Sequence, residues 1–206
     1  MPCLQHLPFL PPAAVKIPEY FQDRFGIYQC EYWSEHFESR EPSYLKDLKS
    51  AMDKKHCKLI NIQVDTPRKD ISDPENGKNA ASKGITFLSE NHFDLLSVPE
   101  NHVKVAHEVY DENFGLLADF GNYPESTDKY KALELIAPYT RLVSAKTHGF
   151  DENYEHTGFD FDRCVRIMEE GGFKGIYSLE QWENGLPDYD FEKIVDWMIG
   201  HVKANV

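Results

Sequence analysis

Four residues able to hold a cation or move a proton stand at or just past the end of short apolar runs: Glu90 after ITFLS, Asp119 after GLLA, His148 just past LVSAK, and Glu180 after GIYSL. Carboxylate and imidazole donors without a thiolate suit Mn²⁺, Mg²⁺ or Co²⁺ better than structural zinc, because harder cations prefer oxygen. Such an ion polarises a carbonyl and steadies an enediolate. A glutamate on either side of a bound carbonyl compound then removes the proton next to the carbonyl and returns one elsewhere, provided its pKa is lifted towards the working pH. Each residue alone has a plainer reading. An isolated Glu90 or Asp119 more often caps a helix or braces a turn, and Asp119-Phe120-Gly121-Asn122 is itself a good turn sequence. A lone histidine such as His148 is more often a packing or surface residue. Recurrence at successive strand ends is what points to a shared site.

The elements that must position these groups alternate in type. Six β-branched or aromatic runs predict strands at Gly26 to Trp33, Lys58 to Val64, Ile85 to Ser89, Gly115 to Ala118, Leu142 to Lys146 and Gly175 to Leu179. Between them an amphipathic helical period covers Ser43 to Lys55, Pro99 to Tyr110, Thr127 to Tyr139 and Phe161 to Glu170, with Ser43, Ser97 and Thr127 as expected N-caps. Strand–helix repetition implies parallel pairing, which gathers the carboxyl ends of the strands at one ligand-facing mouth. A closed eight-unit barrel typically takes about 250 residues, with about 200 near its lower limit, and six strands are too few for it. The connection 65–84 is thin, with only Lys78 to Lys83 left for a helix.

Composition removes several function classes. Lys and Arg number 22 against 35 Asp and Glu, a formal charge of −13, so nucleic acids and acidic membranes are poor partners. No run reaches the roughly 20 apolar residues of a membrane span. The first residues carry no positive stretch and are interrupted by Pro2, Pro8, Pro11 and Pro12, against a secretory signal. Cys3, Cys30, Cys57 and Cys164 are scattered, as expected of reduced thiols in a cytoplasmic protein. No GxGxxG, Walker loop or GxSxG elbow is present.

The stretches FLSENH (87–92), LLADFGN (116–122), VSAKTHGFD (143–151) and GFKGIYSLEQWENG (172–185) resemble the sugar phosphate isomerase/epimerase family, the xylose isomerase-like TIM barrels. The segments 17–37 and 58–65 resemble its second and third strands, so the likeness covers most of the chain. It implies a single barrel domain over 1–206, with parallel strands inside and helices outside, and a small sugar or sugar phosphate as substrate. It also implies one divalent ion held by Glu, Asp, His and Glu from successive strand ends, the two glutamates doubling as acid and base. By resemblance Glu90 and Glu180 are ligands and catalytic groups, Asp119 is a ligand, and Lys146 points into the site. Asn122 stands where many relatives have a substrate-contacting histidine, and His92 and Trp182 belong to the pocket and its rim. Ser144 occupies the place of the family's histidine ligand. His148, on the other side of Lys146 with the same strand parity, is the candidate replacement.

Compared with that family, the first strand is replaced by the Pro-rich segment 1–16, and the fourth strand is lost between Pro74 and Asn79. The expectation is therefore a shortened TIM-type (β/α) barrel of about six strands. Its open edges call for a patch, for pairing with a second copy in a homo-oligomer, or for instability.

Trp33, His36 and Phe37 follow the first recognised strand and suit either sugar stacking or core packing. Glu31, inside that strand, needs a partner such as substrate or Lys146 if buried. His102 and His107, and His156 in DENYEHTG, read as solvent residues. Three functions compete: a metal-dependent sugar isomerase/epimerase, a noncatalytic barrel remnant with at most weak metal binding, and a phosphodiester-cleaving relative, which the −13 charge disfavours.

Overall fold

The computed structural model describes residues 2–3, 13–64, 80–92, 94–182 and 190–206. Among these residues seven strands alternate with helices: β1 Pro2–Cys3, β2 Gln29–Trp33, β3 Lys58–Gln63, β4 Phe87–Glu90, β5 Phe114–Asp119, β6 Thr140–Thr147 and β7 Ile176–Gln181. The longer helices are α1 Ile17–Phe25, α2 Pro42–Lys54, α3 Pro99–Val109, α4 Lys129–Ile136, α5 Phe161–Glu170 and α6 Phe191–Asn205. Every strand pair is parallel, giving a five-stranded sheet in the order β1-β7-β6-β5-β4 and a two-stranded sheet β2-β3.

The expectation that the first strand is lost is corrected here. Pro2–Cys3 pairs with Leu179 and Glu180 of β7, and β1 also lies beside β2. Two residues carry no periodicity, and Pro2 is tolerated at a strand start, so no pattern announced it. The region of the missing fourth strand, 74–79, lies outside the described residues, as does most of the connection 65–84; Ala80 and Ala81 are helical. Among the described residues β3 and β4 are not paired and no closed barrel forms, which is the shortened architecture the chain length implies.

Alternation along the strands explains the layers. Leu116 and Ala118 of β5 and Phe120 just past it turn to the helix side, where they pack with Leu133 and Ile136 of α4, Met168 of α5 and Met198 of α6. Leu117 and Asp119 take the opposite face. A second core, with Phe21, Cys30, Tyr32, Leu48, Met52 and Cys57, lies between β2-β3 and α1-α2. The two are tied on the outside: Tyr20 and Arg24 of α1 donate to Glu192 of α6, and Arg24 Nη2 also reaches Asp196 at 2.6 Å. No helix among the described residues is long and apolar enough to cross a membrane.

The expected N-caps shift by one or two residues. Pro42 and Pro99 open α2 and α3, so the caps fall on Glu41 and Val98 rather than Ser43 and Ser97. At α4, Asp128 rather than Thr127 accepts the Lys131 amide. His102 is not a solvent residue. It is fully buried, and its Nε2–H donates to the Ser89 carbonyl at 2.8 Å, tying α3 to the strand that carries Glu90. Burial lowers its pKa, so it is a neutral brace.

Candidate active site

Three carboxylates do converge. Register places Glu180 beside Lys146 and Asp119 beside Ser144 in adjacent strands, and parallel pairing puts Asp119, Lys146 and Glu180 at the carboxyl ends. Lys146 Nζ lies 3.0 Å from Glu180 Oε1 and 3.7 Å from Asp119 Oδ2. It also donates to Asn122 Oδ1 at 3.0 Å, while Asn122 Nδ2 donates to Glu90 Oε1 at 2.9 Å. A chain of contacts therefore runs from Glu90 through Asn122 and Lys146 to Asp119 and Glu180. Ser144 extends it by donating to Glu180 Oε2 at 2.8 Å.

Asp119 satisfies both readings of its sequence. Its Oδ1 accepts the Gly121 and Asn122 amides at 2.6 and 2.9 Å, bracing the turn. Its Oδ2 accepts no hydrogen bond and faces the ammonium. Asn91, fully buried, fixes the same residue: its side chain donates to the Asp119 carbonyl at 2.9 Å and accepts the Asp119 amide at 2.7 Å. Sequence reasoning missed Asn91, although an amide directly after a strand-end acid was the available signal. Gly121 is needed for close approach, since a Cβ there would stand 2.9 Å from Lys146 Cδ.

The electrostatics follow from burial. Asp119 and Glu180 are 0% and 1% exposed, whereas Glu90 remains partly accessible. Burial, then Asp119, then Glu180 push Glu90 well above the usual carboxylate range. Burial raises Asp119 to about 7, with Lys146 pulling the other way. The Glu90 and Asp119 carboxyls lie close enough to share a hydrogen bond once one of them holds a proton. Burial alone would lower Lys146, but Asp119, Glu180 and Glu90 outweigh it and keep the ammonium charged. One fixed positive charge among three acids makes a site that holds a proton near neutrality.

A stability prediction arises from these shifts. Between the ordinary 3.8 and the folded value of about 7, Asp119 holds a proton in the folded chain that the unfolded chain lacks. Its contribution is therefore fully present below about 3.8 and is lost as pH rises through about 7. In chelator-treated buffer the urea midpoint should fall from pH 5 to pH 8. Asp119→Asn, which keeps the turn acceptor, should flatten that slope; an unchanged slope would contradict the assignment.

Glu31 belongs to the same interior. It is 4% exposed, accepts hydrogen bonds from Ser178 and Asn61, and has Glu180 nearby, so burial raises its pKa. Its contact with Ser178 joins the two-stranded sheet to β7, two residues before Glu180. Of the partners expected for it, substrate or Lys146, the protein itself supplies Ser178 and Asn61 in place of Lys146.

The other candidates are placed as follows. Trp182 lies over Lys146, with Nζ 5.2 Å from the ring centroid. Trp33 is half-buried and meets His36 edge-on. His92 is exposed, and its amide donates to the Glu90 carbonyl. His148 Nε2 lies 3.3 Å from the Gly121 carbonyl, and its ring packs on Phe159 and His156. A carbonyl only accepts, so that nitrogen carries the proton and offers a cation no lone pair. His156 is not a solvent residue. It is packed among Phe150, Phe159, Phe161 and Trp197, and burial lowers its pKa to about 4. His107 is exposed as expected and meets the Tyr139 hydroxyl at 2.8 Å.

No protein-family model and no curated protein sequence matches the chain. Solved structures do. The apo form of 3-keto-D-glucoside 4-epimerase from E. coli superposes with a TM-score of 0.63 at 12% identity, over 97% of this chain and 98% of that one. D-Psicose 3-epimerase with D-tagatose, from Clostridium cellulolyticum H10, gives 0.57 at 11% identity over 91% and 90%. A D-tagatose 3-epimerase-like protein gives 0.52 at 15% identity over 98% and 88%. At such identities the likeness is one of fold alone: the chain shares the parallel strand–helix architecture of these three structures.

Proposed function

We propose that the chain is a sugar or sugar-phosphate isomerase/epimerase that moves a proton at the carbon next to a carbonyl. The observation that supports this most is the gathering of Glu90, Asp119 and Glu180 around Lys146 at the ends of parallel strands. Fold alone does not fix chemistry, but the similar structures are named as sugar epimerases, and the side chains present suit that reaction. Glu90, partly accessible and able to hold a proton near neutrality, is the acid/base on one side of the substrate. Glu180, oriented by Ser144 and Lys146, is the partner. Asn122 and Lys146 offer donors to substrate oxygens, and Trp182 and Trp33 offer aromatic faces to sugar C–H groups.

The donor set also suits a hard divalent ion. Asp119 Oδ2 is buried without a hydrogen bond, Glu180 Oε1 is paired only with the Lys146 ammonium, and they and Glu90 offer carboxylate oxygens of the kind Mn²⁺, Mg²⁺ or Co²⁺ take. Among the described residues no three His, Cys, Asp or Glu side chains stand ready as a ligand group; Lys146 Nζ faces Glu180 Oε1 and Asp119 Oδ2, so a cation bound there would displace the ammonium. When bound, such an ion would polarise the substrate carbonyl. A noncatalytic remnant is the second reading, favoured by the lack of pairing between β3 and β4 among the described residues.

The test is incubation of the protein and Mn²⁺ with a panel of ketoses and their phosphates, followed by chromatography for a new epimer. The proposal expects one sugar to be converted, and calorimetric Mn²⁺ binding that Glu90→Ala and Glu180→Ala abolish. Binding unchanged in both variants, with no conversion, would establish the remnant instead.

A further inference from the structure

The second core holds a feature unrelated to the carboxylate site. Cys30 Sγ and Cys57 Sγ lie 2.9 Å apart, with Cys30 fully buried and Cys57 8% exposed. Cys30 is the second residue of β2, and Cys57 immediately precedes β3, the strand paired with it. Backbone bonds hold both in place: the Cys57 amide donates to the Met52 carbonyl at the end of α2, and the Lys58 amide to Tyr28 just before β2. The surrounding Phe21, Tyr32, Leu48 and Met52 leave the sulfurs little room to separate.

We propose that Cys30 and Cys57 are an oxidation site, a dithiol that peroxide converts to a disulfide stapling β2 to the start of β3. Either thiol can donate in this hydrogen bond; a Cys30 S–H donated to Cys57 steadies its thiolate and holds its pKa below the usual thiol value, and Cys57 is the more exposed of the two, which makes it the nucleophile. The Cys57 thiolate attacks one peroxide oxygen. The O–O bond breaks, hydroxide leaves and takes up the Cys57 proton as water, and sulfur becomes a sulfenic acid. The Cys30 sulfur then attacks Cys57 Sγ, an S–S bond forms, and the hydroxyl departs with the Cys30 proton as a second water. Two thiols are oxidised and one peroxide is reduced. The link closes a loop between residues 27 apart, in the sheet that has no ladder to the other sheet among the described residues. Cys164, equally buried in the other core, is isolated by comparison and serves as an internal control.

The experiment uses the reduced full-length protein, a small excess of hydrogen peroxide, alkylation under denaturing conditions and non-reducing peptide mapping. The expected result is a mass loss of two hydrogens, a Cys30–Cys57 linked peptide, and a melting temperature raised by about 5–10 °C and reversed by reductant. Cys30→Ser should stop the reaction at sulfenic or sulfinic acid on Cys57 and abolish the shift. A wild-type chain in which Cys57 is oxygenated while Cys30 remains alkylatable would overturn the proposal. So would pairing of either residue with Cys3 or Cys164.

Discussion

Lys146→Met is expected to destabilise the metal-free protein by about 3–5 kcal/mol, because it strips the counter-charge from buried acids. The ammonium faces Glu180 Oε1 and Asp119 Oδ2 and is held through Asn122 to Glu90, with side-chain exposures of 8% for Lys146 and 0% and 1% for Asp119 and Glu180. The deficit should shrink as pH falls to 5, since Asp119 and Glu90, both raised by burial, then take up protons. Mn²⁺ should also raise the melting temperature of this variant more than that of the wild type, because no competing cation has to withdraw. Urea unfolding at pH 5 and pH 8, with and without Mn²⁺, reads all three effects. A variant as stable as wild type at pH 8 would show that Lys146 does not carry the charge balance.

Glu90→Gln and Glu180→Gln should each lower turnover of the converted sugar by about 10²–10⁴-fold with a fold unchanged by circular dichroism, the range for loss of a positioned acid or base. The amide preserves the shape around Asn122 and Ser144 while removing the proton-transfer group. Combining the two should lose far less than the product of the single effects, since proton removal and return act as one unit. Steady-state turnover of the purified variants measures this. A Glu180→Gln enzyme with near wild-type turnover would remove that residue from the chemistry.

Much of the site was legible because strand periodicity is a strong local signal. Apolar runs ending in acids put Asp119 and Glu180 at the carboxyl ends of β5 and β7, whereas Lys146 and the position of Ser144 were indicated by the family resemblance and not by any local pattern. His148 shows where that argument stops. β6 ends at Thr147, so two-residue parity no longer governs the next side chain, and the chain turns His148 towards Phe159 and His156. The burial of His102 and His156 is tertiary in origin: nothing in their neighbours along the chain announces the Ser89 carbonyl or the Trp197 ring that receives them. Glu31 was legible as a buried acid in need of a partner, but its partners come from β3 and β7. The two-residue β1 was invisible because pairing with β7, not pattern, defines it. Cys30 and Cys57 read as unrelated thiols until β2 and β3 were laid side by side.

The most direct test of the central claim is proton NMR in D₂O of a ketose or ketose phosphate incubated with the Mn²⁺-supplemented protein. The proposed chemistry predicts loss of the signal from the hydrogen next to the carbonyl, with deuterium at that carbon in both substrate and epimer, and its retention with Glu90→Gln. A folded wild-type protein that leaves that hydrogen in place on every sugar in the panel would contradict proton transfer at this site.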